Sequence, residues 1–203
     1  MAITVIDDIL PTRLVQELAV GAEHKDCPWQ YSGATYGTEE VTFRKNEMEE
    51  SQYVHVAFYE GDATYLWPLY HTPLYFLEKE LGFIITNIQR CKINCLSVTP
   101  AYSDTMNHPV HPDRKDDNWY SAIYYVNGGD GDTVFTNKKY PYLEDKNNSY
   151  DIVKSVAPKQ GRFVIFPSQL YHASSPTTVE RRIVANYVFQ MNNGAVKNDI
   201  LSN

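Results

Sequence analysis

The stretch Ile88-Gln89-Arg90-Cys91-Lys92-Ile93-Asn94-Cys95-Leu96 puts Cys91, Ile93 and Cys95 at one parity and Arg90, Lys92 and Asn94 at the other. Successive side chains of an extended strand point to opposite faces, so this is a strand with one apolar and one polar face. The apolar face requires a core. The polar face is either solvated sheet surface, the commoner case, or the wall of a polar cavity. Downstream, strands are expected at Tyr120–Asn127, Thr133–Phe135, Ile152–Val156, Arg162–Phe166 and Arg182–Gln190, with Gly128-Gly129-Asp130-Gly131 turning the chain between two of them. Upstream the reading is helical. One amphipathic helix is expected around Pro11–Ala19, where Leu14 and Leu18 share a face. A second is expected with Thr72 capping Pro73, Leu74, Leu77 and Leu81 recurring at helical spacing, and Gly82 ending it. Between them, Tyr31–Gln52 is polar, rich in Gly and Glu and long for a connection, which reads as a mobile surface flap. Many short strands after a helical start predict a mainly β fold, a barrel or sandwich with helices on one side.

The 203 residues fit one domain with a sizeable core, and 43% hydrophobic against 21% charged residues excludes a disordered chain or a rod. No run is long and apolar enough to cross a membrane, and the N-terminus lacks a signal-peptide pattern, so a cytoplasmic protein is expected. A net charge of −7 repels polyanions, which makes nucleic acid a poor partner. Cys27, Cys91 and Cys95 are odd in number. An extended chain sets the last two about 13 Å apart, too far for a disulfide. They read as buried thiols in a reducing compartment. Nothing in the sequence gives the oligomeric state.

Six histidines are present, and His24, His55 and His71 have no acid or histidine at ligand spacing. Core or surface roles suit them. The segment Asn107-His108-Pro109-Val110-His111-Pro112-Asp113 differs, because positions i and i+2 of an extended chain point the same way and His111 and Asp113 can serve one point. His108 could compete with His111 but lacks the paired acid. Far along the chain, His172 follows the strand Gly161–Phe166, just beyond a strand end, and Arg182 opens the last strand ten residues later. Two neutral imidazoles and a carboxylate make a facial set that leaves three octahedral positions open, an arrangement suited to ferrous iron. An Arg nearby supplies a planar, permanently charged fork for a carboxylate. Taken without the two histidines and Asp113, Arg182 reads better as a surface strand residue in an ion pair, and Tyr125 as a packed core aromatic.

These stretches resemble the iron(II)/2-oxoglutarate-dependent dioxygenases, especially the prolyl-4-hydroxylase-like branch and small phage-type oxygenases. The likeness runs through His111-Pro112-Asp113, Ala122–Asn127 with Gly128-Gly129 and Thr133–Phe135, Pro158–Ser168 leading into His172, and Arg182–Tyr187. It covers residues 90–189, and four motifs in order are more specific than any one. It implies a double-stranded β-helix (jelly-roll) core at residues 86–192, a helical and flap support region at 1–85 and a tail at 193–203, all in one domain. It also implies that His111, Asp113 and His172 ligate Fe(II) and that Arg182 pairs with the distal carboxylate of 2-oxoglutarate. Tyr125 is implied to reach that same carboxylate, and Asn94 to help hold the cosubstrate. Arg181 and Arg182 are neighbours, so only one can enter the site; Arg182 is chosen for its match with Asn186. The implied reaction hydroxylates a C–H bond with dioxygen while 2-oxoglutarate becomes succinate, with ascorbate as a conceivable further cofactor. Proline in a protein is the first-choice substrate, ahead of a small metabolite or free amino acid. The alternative is a jelly-roll metal-binding or structural module without oxidative turnover, and succinate formation separates the two.

Overall fold

The computed structural model describes residues 3–34, 47, 51–99, 106–145 and 147–192. In chain order its elements are β1 (Thr4–Ile6), α1 (Thr12–Glu23), β2 (Gln30–Ser32), β3 (Gln52–Tyr59), β4 (Asp62–Ala63), α2 (Trp67–Leu81), β5 (Ile84–Leu96), β6 (Tyr120–Tyr125), β7 (Thr133–Lys139), a short 3-10 turn (Tyr142–Glu144), β8 (Ile152–Val156), β9 (Phe163–Pro167), β10 (Leu170–Ser174) and β11 (Arg182–Asn192). Two antiparallel sheets result. The larger runs β1-β9-β6-β11-β5-β3-β2, with β4 on β3; the smaller runs β10-β7-β8.

Three layers follow from the alternation. Cys91, Ile93 and Cys95 of β5 face Leu18 of α1 and Tyr70, Leu74 and Leu77 of α2, together with Tyr124, Phe163, Ala185 and Tyr187 from the neighbouring strands. The opposite parity of the same strands faces the smaller sheet, where Ile123, Val164 and Val184 meet Phe135, Val156 and Leu170. This is the jelly-roll sandwich, with the helices as a third layer on its back. Two buried hydroxyls tie that layer down: Tyr187 donates to the Tyr70 carbonyl and Tyr70 to the Leu18 carbonyl, both at 2.8 Å. All three cysteines are buried and free.

The differences from expectation are local. Helix α2 starts six residues before Pro73, with Pro68 in its first turn. Thr72 is therefore inside the helix, and its hydroxyl returns to the Pro68 carbonyl at 2.9 Å instead of capping. Gly82 ends the helix at φ +70°, as expected. Residues 1–85 hold more than helices: β3 reads Val54, Val56 and Phe58 at one parity and pairs with β5 along its length. The flap expected at Tyr31–Gln52 is bounded by strand residues at both ends, while residues 35–46 and 48–50 lie outside the described residues. The largest omission is β10, a strand in its own right, so His172 sits within a strand and not beyond one.

At the sheet's edge β1 pairs with β9, matching Thr4 to Ile165. The Arg162 guanidinium locks this edge with a two-pronged contact to Asp7, 2.8 and 2.9 Å. The Arg162 hydrogen bonds hold the Asp7 carboxyl down to about 2 against partial burial. A depressed carboxyl stabilises the fold above its unfolded pKa of about 4 and loses that contribution as pH falls through the folded value. Asp7→Asn should therefore cost about 1 kcal/mol at pH 7, the exposed part of the pair being screened. In urea titrations the gap between variant and wild type should close between about pH 4 and pH 2.

Candidate active site

The polar parity of β5 lines a cavity between the two sheets, the less common of the two alternatives for such a face. Arg90, Lys92 and Asn94 project into it together with His108, His111, Asp113, Thr133, His172, Arg182 and Asn186.

His111 and His172 come together through the backbone. The His111 N–H donates to the His172 carbonyl at 3.0 Å and the His172 N–H returns to the His111 carbonyl at 3.1 Å. Residues paired this way in an antiparallel bridge carry their side chains on one face. The rings lie 4.9 Å apart between centroids. Each Nδ1 is 3.0 Å from a carbonyl two residues back, that of Pro109 for His111 and of Leu170 for His172. An Nδ1–H donated there fixes the tautomer and leaves the Nε2 lone pair for a cation. Burial, with His172 adding to it, holds His111 down to about 3, so it is neutral at physiological pH.

Asp113 completes the set. Its Oδ2 is 3.6 Å from His172 Nε2, and the candidate donor atoms of the three residues lie within 4.8 Å of one another. Arg90 Nη2 donates to Oδ1 at 2.7 Å, and the Asn186 amide reaches Oδ1 and Oδ2 at 3.3 and 3.1 Å. Burial works to raise this carboxyl, but its neighbours His172, Arg90 and His111 outweigh that effect and hold the group below the usual carboxylate range. The donor set is thus two Nε2 lone pairs and one ionised carboxylate, which fits ferrous iron. Among the described residues no other group of three His, Cys, Asp or Glu side chains comes together in this way.

Arg182 opens β11 and is 4% exposed. Its Nη2 donates to Thr133 Oγ1 at 2.8 Å, its guanidinium lies 5.5 Å from the Tyr125 ring centroid, and its Nε is buried without a hydrogen-bond partner. Burial pushes its pKa down, with Tyr125 opposing. A buried guanidinium with an orphaned donor fits a ligand carboxylate. Gly131 makes room for it: at φ +86°, a Cβ there would stand 3.1 Å from Arg182 Cδ and 3.2 Å from the Ser175 carbonyl. Arg181 faces the other way, exposed, with Glu23 at 3.3 Å. The Asn94 Oδ1, an acceptor, is another buried polar atom on the cavity wall without a partner. Tyr125 lies behind that wall, its hydroxyl donating to Thr133 Oγ1 at 2.6 Å with the Val156 carbonyl at 3.2 Å. Thr133 therefore stands between Tyr125 and the cavity.

Sequence reasoning used Arg90 and Lys92 only as members of a polar face, Asn186 only as a motif marker, and Thr133 only as part of a strand. The Arg-x-Lys-x-Asn alternation was the available signal for the first two. His108 also lines the cavity, with Nδ1 2.8 Å from Ser174 Oγ, and stands outside the three-residue set.

Residues 99–190 match the family model described as the 2OG-Fe(II) oxygenase superfamily, a span that contains His111, Asp113, Tyr125, His172 and Arg182. The fold is similar to that of the alpha-ketoglutarate-dependent carbocyclase SnoK from nogalamycin biosynthesis, at 11% identity over 93% of this chain and 79% of that one, TM-score 0.63. AviO1 from Streptomyces viridochromogenes is similar at 13% identity over 96% and 91%, TM-score 0.62. A prolyl-4-hydroxylase from Pseudomonas putida is similar at 19% identity over 93% and 92%, TM-score 0.53. No curated protein is similar to it in sequence.

Arg90 positions Asp113 and touches no ligand atom of the imidazoles. Arg90→Leu should weaken Fe(II) binding by about 10- to 100-fold, as expected for a group that holds a ligand in place. His172→Ala should remove measurable binding. Anaerobic calorimetry with Fe(II) reads both, and unchanged far-UV circular dichroism confirms that the fold persists.

Proposed function

We propose that this chain is a 2OG-Fe(II) oxygenase that uses Fe(II) and 2-oxoglutarate, a reading supported by the family match over residues 99–190 and by the His111, Asp113 and His172 set, and that it hydroxylates a C–H bond of a protein side chain, proline being the first candidate. The observation that carries the reading is the convergence of His111, Asp113 and His172 in one cavity with a buried Arg182 whose Nε has no partner. The fold shared with the Pseudomonas putida prolyl-4-hydroxylase supports the choice of substrate.

In this reading His111 and His172 would hold the iron through Nε2 and Asp113 through its carboxylate. Bound iron, with 2-oxoglutarate and dioxygen, supplies the oxidising power to break an unactivated C–H bond while 2-oxoglutarate becomes succinate. The chain supplies placement. Arg182 and Thr133 would take the distal carboxylate, and the aromatic ring of Tyr125 beside the guanidinium would keep its plane fixed. Asn94 would donate its amide to the same cosubstrate. Arg90 and Asn186 keep Asp113 ionised and oriented. Phe135 and Phe166, with ring centroids 6.1 and 4.6 Å from that of His172, shield the back of the site from water.

Purified protein with Fe(II), 2-oxoglutarate and air should form succinate, and a proline peptide should raise the rate and gain one oxygen atom by mass spectrometry. Absence of succinate would overturn the enzymatic reading, and succinate without peptide oxidation would overturn proline. Arg182→Ala should raise the KM for 2-oxoglutarate on the order of 100-fold, the loss expected of a buried charge-assisted contact. Arg181→Ala, at an exposed pair, should leave it within about two-fold.

A further inference from the structure

Three cations and one carboxylate, Arg90, Lys92, Arg182 and Asp113, line the cavity among the described residues. The protein's net charge is negative, so this excess of positive charge is built locally and against the general trend. Two of the cations have evident uses. Arg90 is neutralised by Asp113 at 2.7 Å and also contacts the Asn186 amide oxygen at 3.2 Å. Arg182 stands ready for the distal carboxylate of the cosubstrate. Lys92 has neither kind of partner: among the described residues its ammonium makes no ion pair or hydrogen bond. It is only partly exposed.

Strand register places Lys92 away from Arg182. Lys92 pairs with Asn186 on β11, the residue whose amide holds Asp113, whereas Arg182 pairs with Leu96. Four residues of extended chain separate the two rows, about 13 Å. Lys92 thus belongs to the Asp113 end of the cavity. There the charges of a ferrous ion, which His111, Asp113 and His172 would hold, and of dianionic 2-oxoglutarate, whose distal carboxylate Arg182 would take, would cancel each other. Neither leaves an anion for Lys92. A half-buried ammonium without a counter-charge is an unfavourable arrangement that an incoming anion relieves.

We propose that Lys92 binds a carboxylate of the primary substrate and so selects an acid, presented next to the C–H bond to be hydroxylated. This rests on the oxygenase reading above and deepens it by naming the substrate class. A carboxylate can come from an acidic side chain beside a proline or from the α-carboxylate of a free amino acid, and matched probes distinguish these sources.

The experiment compares acetyl-Pro-Asp-amide with acetyl-Pro-Asn-amide, and L-proline with prolinamide, by anaerobic calorimetry on Fe(II)- and 2-oxoglutarate-loaded protein and by product formation in air. In at least one pair the acid should bind about 10-fold or more tightly than its neutral partner, the scale of one charge-assisted contact. Preference in the first pair assigns the side-chain source, and preference in the second the α-carboxylate. Lys92→Met should erase the preference and Lys92→Arg should retain it. No preference in either pair, or a preference that survives in Lys92→Met, overturns the proposal. So does a Lys92→Met defect confined to the KM for 2-oxoglutarate. Should the wild type form no succinate, the oxygenase reading fails by itself. The same calorimetry on metal-free protein then still decides whether Lys92 discriminates acid from amide.

Discussion

The paired main-chain hydrogen bonds between His111 and His172 are the constraint on which the site depends. Sixty residues of chain lie between them, and the reciprocal 3.0 and 3.1 Å contacts leave little freedom in their relative placement. With the backbones fused, the two imidazoles must lie on the same face, and their Nδ1 atoms are committed to carbonyls. Everything a cation needs from the histidines is thereby set by backbone geometry. The carboxylate is set by another route, from the opposite sheet, where Arg90 of β5 and Asn186 of β11 reach across to Asp113. The metal-binding set is consequently a bolt through both sheets, and the packing of Ile123, Val184 and Phe135 between them is what keeps its halves in register.

The cavity also shows how charge is placed with economy. Desolvation lowers Lys92 to about 8, with Arg90 adding to the effect, and pushes Arg182 down as well. Among the described residues the cavity meets that penalty with a single carboxylate, Asp113, and leaves the remaining positive charge to be met by anions that arrive with the reaction. Binding and charge neutralisation are then one event, which makes affinity for neutral molecules low without any steric filter.

Much of this was legible beforehand because it depends on parity. The split of β5 into Cys91, Ile93 and Cys95 against Arg90, Lys92 and Asn94 marked the core face and offered the cavity as the less common reading of the other face, and the i, i+2 spacing of His111 and Asp113 placed them together. Parity is silent about distance and about partners. It could not say whether Arg181 or Arg182 turns inward, because each shares its face with apolar residues; the β11 pairing with β5 decides that only in three dimensions. It could not find β10, since Leu170-Tyr171-His172-Ala173-Ser174 has no clean alternation and is buried for four of its five residues. Thr133 was invisible as a site residue because its importance comes from lying between Tyr125 and Arg182, a relation no local window contains. The early strand β3 shares only Gln52 with the flap expected at Tyr31–Gln52, and no expectation covered the rest of it.

The placement of β1 beside β9 carries a consequence for synthesis. Thr4, Val5 and Ile6 leave the ribosome before every other strand of this fold, yet their partners Ile165, Val164 and Phe163 follow about 160 residues later. An early strand with an apolar side must wait for most of the polypeptide before its edge is covered, and closing so long a loop is slow and entropically costly. A nascent chain interrupted before β9 therefore displays an unpaired ribbon to its neighbours on the polysome, where chaperone capture competes with self-association.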